Sequence, residues 1–360
     1  MKNNIFSKIT AIVLAVAVLF SLTGCSRSQK EEKSVLTVNN QTEIPSGIFT
    51  YFLNMEYYSN TGLSDSDYID RATNDSLKYL AVNSKAAEKN MTLSQSEKYK
   101  VSAETNALWR YYGKYLENIG VTKDDYFKIR QYETMREKIR FALFDKGGSE
   151  AINENYVKEY FKENYCAVKY FYRELYDLST QAQIDNMTDE AKKAYEQRKK
   201  DAEKQYKSIS NLATYVNSGI YTVDEAYMAV TGNVDKGVKV NTTIISKNDA
   251  DFPAELVAAV FKQAQGSAFI ITNSEKSYIY FIYKIGLFDE GNSYYDKYRK
   301  ECLIGVSENY LENDISSWTK SFDAVRHTNV CSDCLNNVKG VDRSLFVGTD
   351  RYTFSPIEIK

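Results

Sequence analysis

Two cysteines three residues apart, Cys331-Ser332-Asp333-Cys334, have the spacing best suited to thiol chemistry in this 360-residue sequence. Such a pair can cycle between dithiol and disulfide where a strand leading into a helix activates one thiol, and no such pattern precedes it. Zinc would need a second pair at comparable spacing, whereas the other internal cysteines, Cys166 and Cys302, stand alone. Cys331 and Cys334 are therefore read as a local structural disulfide or as two unmodified thiols, and no metal is expected. The single histidine, His327, lies in no nucleophile motif, which argues against hydrolysis through an imidazole base. Carboxylates are plentiful but fall on charged helical faces such as residues 196–203, the pattern of solvated surface. Phosphate-cradling glycine loops are missing, and no cofactor is expected.

The fifth cysteine suggests different chemistry. Lys2 and Lys8 precede an apolar run from Ile9 to Leu22, which closes in Leu22-Thr23-Gly24-Cys25. A basic start, an apolar core and small residues before a cleavage point are the layout of an export signal. With cysteine at that point, the segment is similar to a bacterial lipoprotein signal, in which the cysteine becomes the new N-terminus and its thiol receives lipid. Residues 1–24 are thus expected to be a signal peptide and Cys25 the lipidation site, the alternative being an ordinary secretory signal with a chance cysteine. No later segment supplies the ~20 consecutive apolar residues that a bilayer span needs. The expected location is the extracytoplasmic face of the bacterial cell membrane, with the chain lipid-anchored there.

Lysine and arginine number 46 against 48 acidic residues, so charge gives no reason to expect nucleic acid as a partner. Partner choice should rest on shape and apolar contact. Thirty tyrosines and 17 phenylalanines stand against only three prolines. A+T-rich coding would produce that bias, but tyrosine also offers a broad apolar face with a polar tip, which suits a surface that grips varied polypeptide.

The elements that must position these residues follow from periodicity. Residues 25–34 have the polar, charged composition of a flexible tether. Leu36 to Gln41 reads as a strand entering a turn, after which Ser46 can cap a helix holding Phe49, Phe52, Leu53 and Tyr57. Helical stripes continue through Leu77, Leu80 and Ala81, then Leu108, Tyr111, Tyr112 and Tyr115, and then Ile129, Met135 and Ile139. Ser94 with Glu97 makes a capping-box pattern. Residues 35–150 therefore predict a helical domain ending at Gly147-Gly148. Residues 151–287 predict a small α+β unit: a helix capped by Asn153, a strand from Ala167 to Tyr172, a charged helix from Asp189 to Ser208, and a helix after Phe252-Pro253 ending at Gly266. Strands at 268–272 and 278–285, joined by the turn Asn273-Ser274-Glu275, complete it. Residues 288–326 read as helix returning to the helical domain, and 327–360 as an irregular tail. The fold class expected is α+β and predominantly helical.

Taken in order, these segments resemble the exported foldases of the PrsA and SurA type, in which a helical chaperone domain flanks a parvulin-like peptidyl-prolyl isomerase domain. The resemblance rests on Leu36-Thr-Val-Asn-Asn-Gln with the following helix, on residues 86–94 and 120–126, and on Tyr156 to Tyr165 with the 261–285 segment. It implies a SurA-like helical chaperone domain with an inserted parvulin-like domain. It also implies a pocket that twists an Xaa-Pro amide against a barrier of ~20 kcal/mol without metal or cofactor. Active parvulins place histidines on the first and last strands of that domain. Here Tyr170 and Phe281 stand at those positions, so the domain is expected to be degenerate and catalytically inactive.

The same resemblance makes Phe261 the helix phenylalanine of the pocket and Gly266 the glycine after it. Tyr170, Tyr172, Met228, Phe261 and Phe281 are thus the candidate peptide or proline pocket. The function expected is a membrane-anchored chaperone that binds newly exported, unfolded polypeptides, using the aromatic and apolar surfaces of its helical domain. The alternatives are an active isomerase with tyrosines replacing histidines, and a non-catalytic adaptor lipoprotein that binds a folded partner. Self-association is left open.

Overall fold

The computed structural model describes residues 33–174, 181–232, 239–272 and 278–341. The signal peptide, Cys25, the tether as far as residue 32, the 273–275 turn and the tail beyond 341 lie outside the described residues. In chain order the elements are β1 (Ser34–Val38), β2 (Thr42–Pro45), α1 (Ser46–Ser59), α2 (Asp65–Glu88), α3 (Gln95–Asn118), α4 (Lys123–Phe144) and α5 (Glu154–Asn164). They continue with β3 (Tyr165–Glu174), α6 (Gln181–Asp185), α7 (Asp189–Asn217), α8 (Val223–Thr231), β4 (Thr242–Ser246), α9 (Ala254–Lys262), β5 (Ala268–Thr272) and β6 (Tyr278–Ile285). The last are α10 (Ser293–Thr319), β7 (Ala324–Arg326) and α11 (Thr328–Gly340). The class is α+β, predominantly helical, with two small antiparallel sheets.

The described residues divide into two compact units, one from 33–151 and 307–341 and the other from within 152–306. In the first, β2, β1 and β7 form a sheet in that order, and the helices start where the side chains dictate. Ser64 with Asp67, Ser94 with Glu97, and Thr122 with Asp125 each form a reciprocal capping box that satisfies the first free N–H groups of α2, α3 and α4. The apolar stripes of these helices meet β1 in one core that includes Leu36, Ile44, Phe49, Leu53, Ile129 and Leu335. Inside it, Tyr115 Oη donates to Asn54 Oδ1 at 2.6 Å, so a buried amide does not go unpaired. Gly47 is needed on α1 because a Cβ there would lie 2.0 Å from the buried carboxylate of Asp125.

Charge is also buried in this unit. Arg140 is fully buried and donates to Glu137, to Ser307 Oγ at 3.0 Å and to Glu308 at 2.5 Å. Arg136 bonds Glu308 and Glu312 at 2.7 Å each, and Lys78 reaches Glu312 at 3.0 Å. The network ties α2 and α4 to the second half of α10. Burial alone would raise the Glu308 and Glu312 carboxyls, but hydrogen bonds from the arginines, and from Lys78 in the case of Glu312, hold both below the usual range.

Asp75 behaves oppositely. Burial pushes its carboxyl up to about 6, against the pull of Lys78. A folded-state pKa above the unfolded value of 3.8 means the folded state binds the proton more tightly, so this group's contribution falls as pH rises from 3.8 to about 6. Unfolding of wild type and Asp75→Asn, compared at pH 4 and pH 7, should show the difference in stability moving in favour of the variant at the higher pH.

In the second unit, four antiparallel strands lie in the order β4-β3-β6-β5. Residues alternate between two apolar faces. One face packs against α9 through Val168, Ile245, Leu256, Val257, Val260 and Ile282. The other packs against α7 and α8 through Phe171, Ile209, Leu212, Ala226, Ile279 and Phe281.

Two expectations change. The α+β unit does not end at 287 but continues to 306, because fully buried Phe161 packs against Phe288, Tyr295 and Tyr298, and Glu154 accepts from Tyr295 Oη and Arg299. The segment from 327 is not irregular as far as it is described. It forms α11, whose Cys331, Cys334, Leu335 and Val338 are buried in the core of the first unit. Its interrupted apolar pattern, with cysteines at two of the four core positions, concealed the helix.

Candidate functional site

β3 and β6 form the central pair of the four-stranded sheet, and their register decides which side chains share a face. Tyr170 lies opposite Ile282, Phe171 opposite Phe281, and Tyr172 opposite Tyr280. Alternation then sends Tyr170 and Tyr172 to the α9 face, together with Tyr278, Tyr280 and Ile282, and sends Phe171 and Phe281 to the opposite face.

The five pocket residues expected from the sequence are therefore not brought together. Tyr170, Tyr172 and Phe261 belong to the α9 face. Phe281 is fully buried on the other, stacked on Phe171 with centroids 4.6 Å apart and planes 6° from parallel. Met228 lies half-buried on α8, which packs over that same side. Phe281 is a core residue, and neither it nor Met228 can share a pocket with Tyr170.

The α9 face is set up locally. Helix α9 buries Leu256, Val257 and Val260 against the sheet and leaves Phe261 half-buried at its flank, with Lys247 Nζ 5.7 Å from the ring centroid. Lys284 of β6 closes the helix by donating to the carbonyls of Val260 at 3.0 Å and Gln263 at 2.8 Å, where the C-terminal groups otherwise lack partners. Gly266, at φ 78°, then turns the chain into β5.

Beyond the reach of α9 the face carries phenols. Tyr172 is 60% exposed and contacts Tyr280 at 5.7 Å and Tyr278 at 5.9 Å between centroids. Tyr170 meets the edge of Phe252 at 5.3 Å. Burial raises the pKa of Tyr170 and Tyr280, and neighbouring phenols with Asp249 and Glu255 raise them further. Each hydroxyl therefore keeps its proton at neutral pH. The result is a neutral aromatic surface tipped with hydrogen-bond donors, suited to apolar side chains and peptide carbonyls.

The other expected sites offer less chemistry. Cys331 and Cys334 are buried free thiols on α11, and Cys166 and Cys302 are also buried and free. Burial pushes Cys331 up to about 11 and Cys302 up to about 12, which leaves both protonated and unreactive at neutral pH. His327 is in the first unit, its Nε2 2.9 Å from Thr37 Oγ1. Among the described residues no group of histidine, cysteine and carboxylate side chains could hold a metal ion. Among them, too, no helix is long and apolar enough to cross a membrane.

No known family's sequence profile matches the chain, and no curated protein matches it. Solved structures do. Foldase protein PrsA from Lactococcus lactis matches at 11% identity and a TM-score of 0.34, over 85% of this chain and 99% of the other. The chain is similar to the PrsA foldases. PrsA from Streptococcus pneumoniae matches at 11% identity and TM-score 0.34, over 89% and 99% of the two chains. PrsA from Bacillus subtilis gives 15%, 0.28, 87% and 93%.

Tyr278 and Tyr280 complete the phenol surface and are absent from the expected pocket. Their signal was the alternation Tyr278-Ile279-Tyr280-Phe281-Ile282-Tyr283, which places every second residue on one face. Choosing between Tyr280 and Phe281 requires the register against β3, and a slip of one residue exchanges the faces.

Proposed function

We propose that this chain is a membrane-anchored extracytoplasmic foldase that holds newly exported, unfolded polypeptide, with its α+β unit serving as a binding surface and not as an isomerase. The observation that carries this reading is the tyrosine cluster on the α9 face, where Tyr170, Tyr172, Tyr278 and Tyr280 gather with Phe252. Exposed aromatics of the first unit, Tyr58, Tyr99, Tyr111 and Tyr310, are spread over α1, α3 and α10, which is ordinary for a protein surface. The holding surface therefore moves from the helical domain, where sequence put it, to the sheet. Catalysis is disfavoured because Tyr170 and Phe281 lie on opposite faces and no imidazole belongs to the sheet.

Aggregation of an unfolded exported protein tests the reading. The double variant Tyr172→Ala, Tyr280→Ala should lose most of the wild-type suppression while keeping its circular dichroism spectrum. Cross-strand aromatic pairs contribute only about 0.2–1 kcal/mol each, so the fold should survive. Full suppression by the double variant would refute the assignment of the surface. An Xaa-Pro peptide should isomerise at its spontaneous rate with or without the protein, and acceleration abolished by Tyr170→Phe would instead establish the isomerase.

Anchoring rests on Leu22-Thr23-Gly24-Cys25. Cys25→Ser should release the protein from membranes without changing its unfolding midpoint, and unchanged membrane retention would overturn the anchor.

A further inference from the structure

The outer edge of β5 carries an arrangement that the tyrosine face does not use. Asn217, the last residue of α7, lays its carboxamide along that edge. Its Nδ2 donates to the Ala268 carbonyl at 2.8 Å, and its Oδ1 accepts from the Ala268 N–H at 2.6 Å. This is the two-bond pattern with which a neighbouring strand would engage one residue. It also fixes the parity of β5. The Lys284 N–H donates to the Ser267 carbonyl at 3.0 Å, so Ser267 and, two by two, Phe269 and Ile271 bond inward to β6. Ala268, Ile270 and Thr272 then direct their N–H and C=O groups outward. Asn217 takes the first of the three, and no strand lies beyond β5 among the described residues.

The edge is also chemically inviting. Its sequence, Ala-Phe-Ile-Ile-Thr, has none of the lysines, prolines or inward charges that usually blunt an edge strand. At the end of α7 that carries Asn217, the chain exposes Tyr215, Ile220 and Tyr221, with Tyr215 and Tyr221 in edge contact at 5.7 Å.

We propose that the β5 edge accepts a short, extended, apolar polypeptide segment as a fifth strand, with Ile270 and Thr272 supplying its backbone bonds and Asn217 marking where pairing stops. Two outward residues offer up to four hydrogen bonds. That ladder is too short for a stable dimer through a second β5, which needs about 1,000 Å² or more of buried surface, and it suits transient capture of an unfolded chain. The extended occupant fits the holding role proposed above, but the site is separate from the tyrosine face.

The probe is the blocked heptapeptide acetyl-Val-Thr-Val-Thr-Val-Thr-Val-amide, with a second form N-methylated at every residue, which keeps the side chains and removes the N–H donors of both its edges. Added to the full chain, the first form should slow hydrogen exchange of the Ile270 and Thr272 amides at least fivefold, and the methylated form should not. Thr272→Pro removes an outward N–H without breaking a bond to β6, and should weaken peptide binding about tenfold with the fold intact. Equal protection by both peptides, or none by either, would overturn the proposal. Protection that instead grows with protein concentration in the absence of peptide would assign the edge to a second copy and overturn it too. The Tyr172→Ala, Tyr280→Ala variant separates the two readings: it should lose aggregation suppression yet keep peptide protection at β5, and loss of that protection would sink the separate site.

Discussion

Phe281→Ala is expected to destabilise the α+β unit by about 3–5 kcal/mol, the range for deleting a fully buried aromatic ring. The ring is stacked on Phe171 and packed under α7 and α8, so its removal leaves a cavity that the sheet cannot close. Tyr280→Ala, one residue away, should cost about 1 kcal/mol or less. Denaturant unfolding of both variants checks the pair. The contrast matters for the proposed role: lost suppression of aggregation in Phe281→Ala would report unfolding, whereas the same loss in Tyr280→Ala would report the surface. Phe281→His, the substitution that would restore a histidine at the position suggested by resemblance, should likewise destabilise the unit and create no isomerase, because the new imidazole would enter the core.

Arg140→Ala is expected to cost the first unit about 1.5–3 kcal/mol, the range for losing hydrogen bonds to charged groups, because Arg136 still reaches both carboxylates that Arg140 would leave. Glu137 and Glu308 lose one of the two arginines they share, and Ser307 loses its donor. Arg140→Lys should recover only part of this, because an ammonium cannot reproduce the planar fork that meets two carboxylates at once. Moderate salt should narrow the difference little, since screening acts weakly on buried groups. Unfolding midpoints in low and high salt measure both effects.

Much of the architecture was legible where local chemistry fixes it. Ser94 with Glu97 and Thr122 with Asp125 announce helix starts in four residues each, and strands at 268–272 and 278–285 follow from apolar runs bounded by a glycine and a turn. β4 was missed because it is short and acquires its structure from β3, whereas α8, missed as well, carries its own signal in the capping box of Thr222 with Glu225 and the left-handed Gly232 that ends it. Tyr111, assigned to a core stripe by its spacing, is exposed, because the stripe turns inward at Tyr112 and Tyr115. The site was legible in composition and not in geometry. Tyrosine enrichment pointed to a gripping surface, but the assignment of Phe281 needed pairing information that no single strand carries. Strand register is a property of two segments, and β3 and β6 are more than a hundred residues apart.

The way the first unit closes has a consequence for how the chain must acquire its structure. β1 pairs with β7, His327 reaches back to Thr37, and α11 completes the core around α1. A chain delivered across a membrane from its N-terminus would expose β1 and α1 long before those partners arrive. The α+β unit, contiguous from 152 to 306, can fold as soon as it emerges, whereas the first unit must wait for its last strand and helix. Closing so long a loop is slow, though each doubling of its length adds only about 0.6 kcal/mol. During that interval such a chain would itself be an incompletely folded polypeptide, with an open β1 edge and an unfilled apolar core.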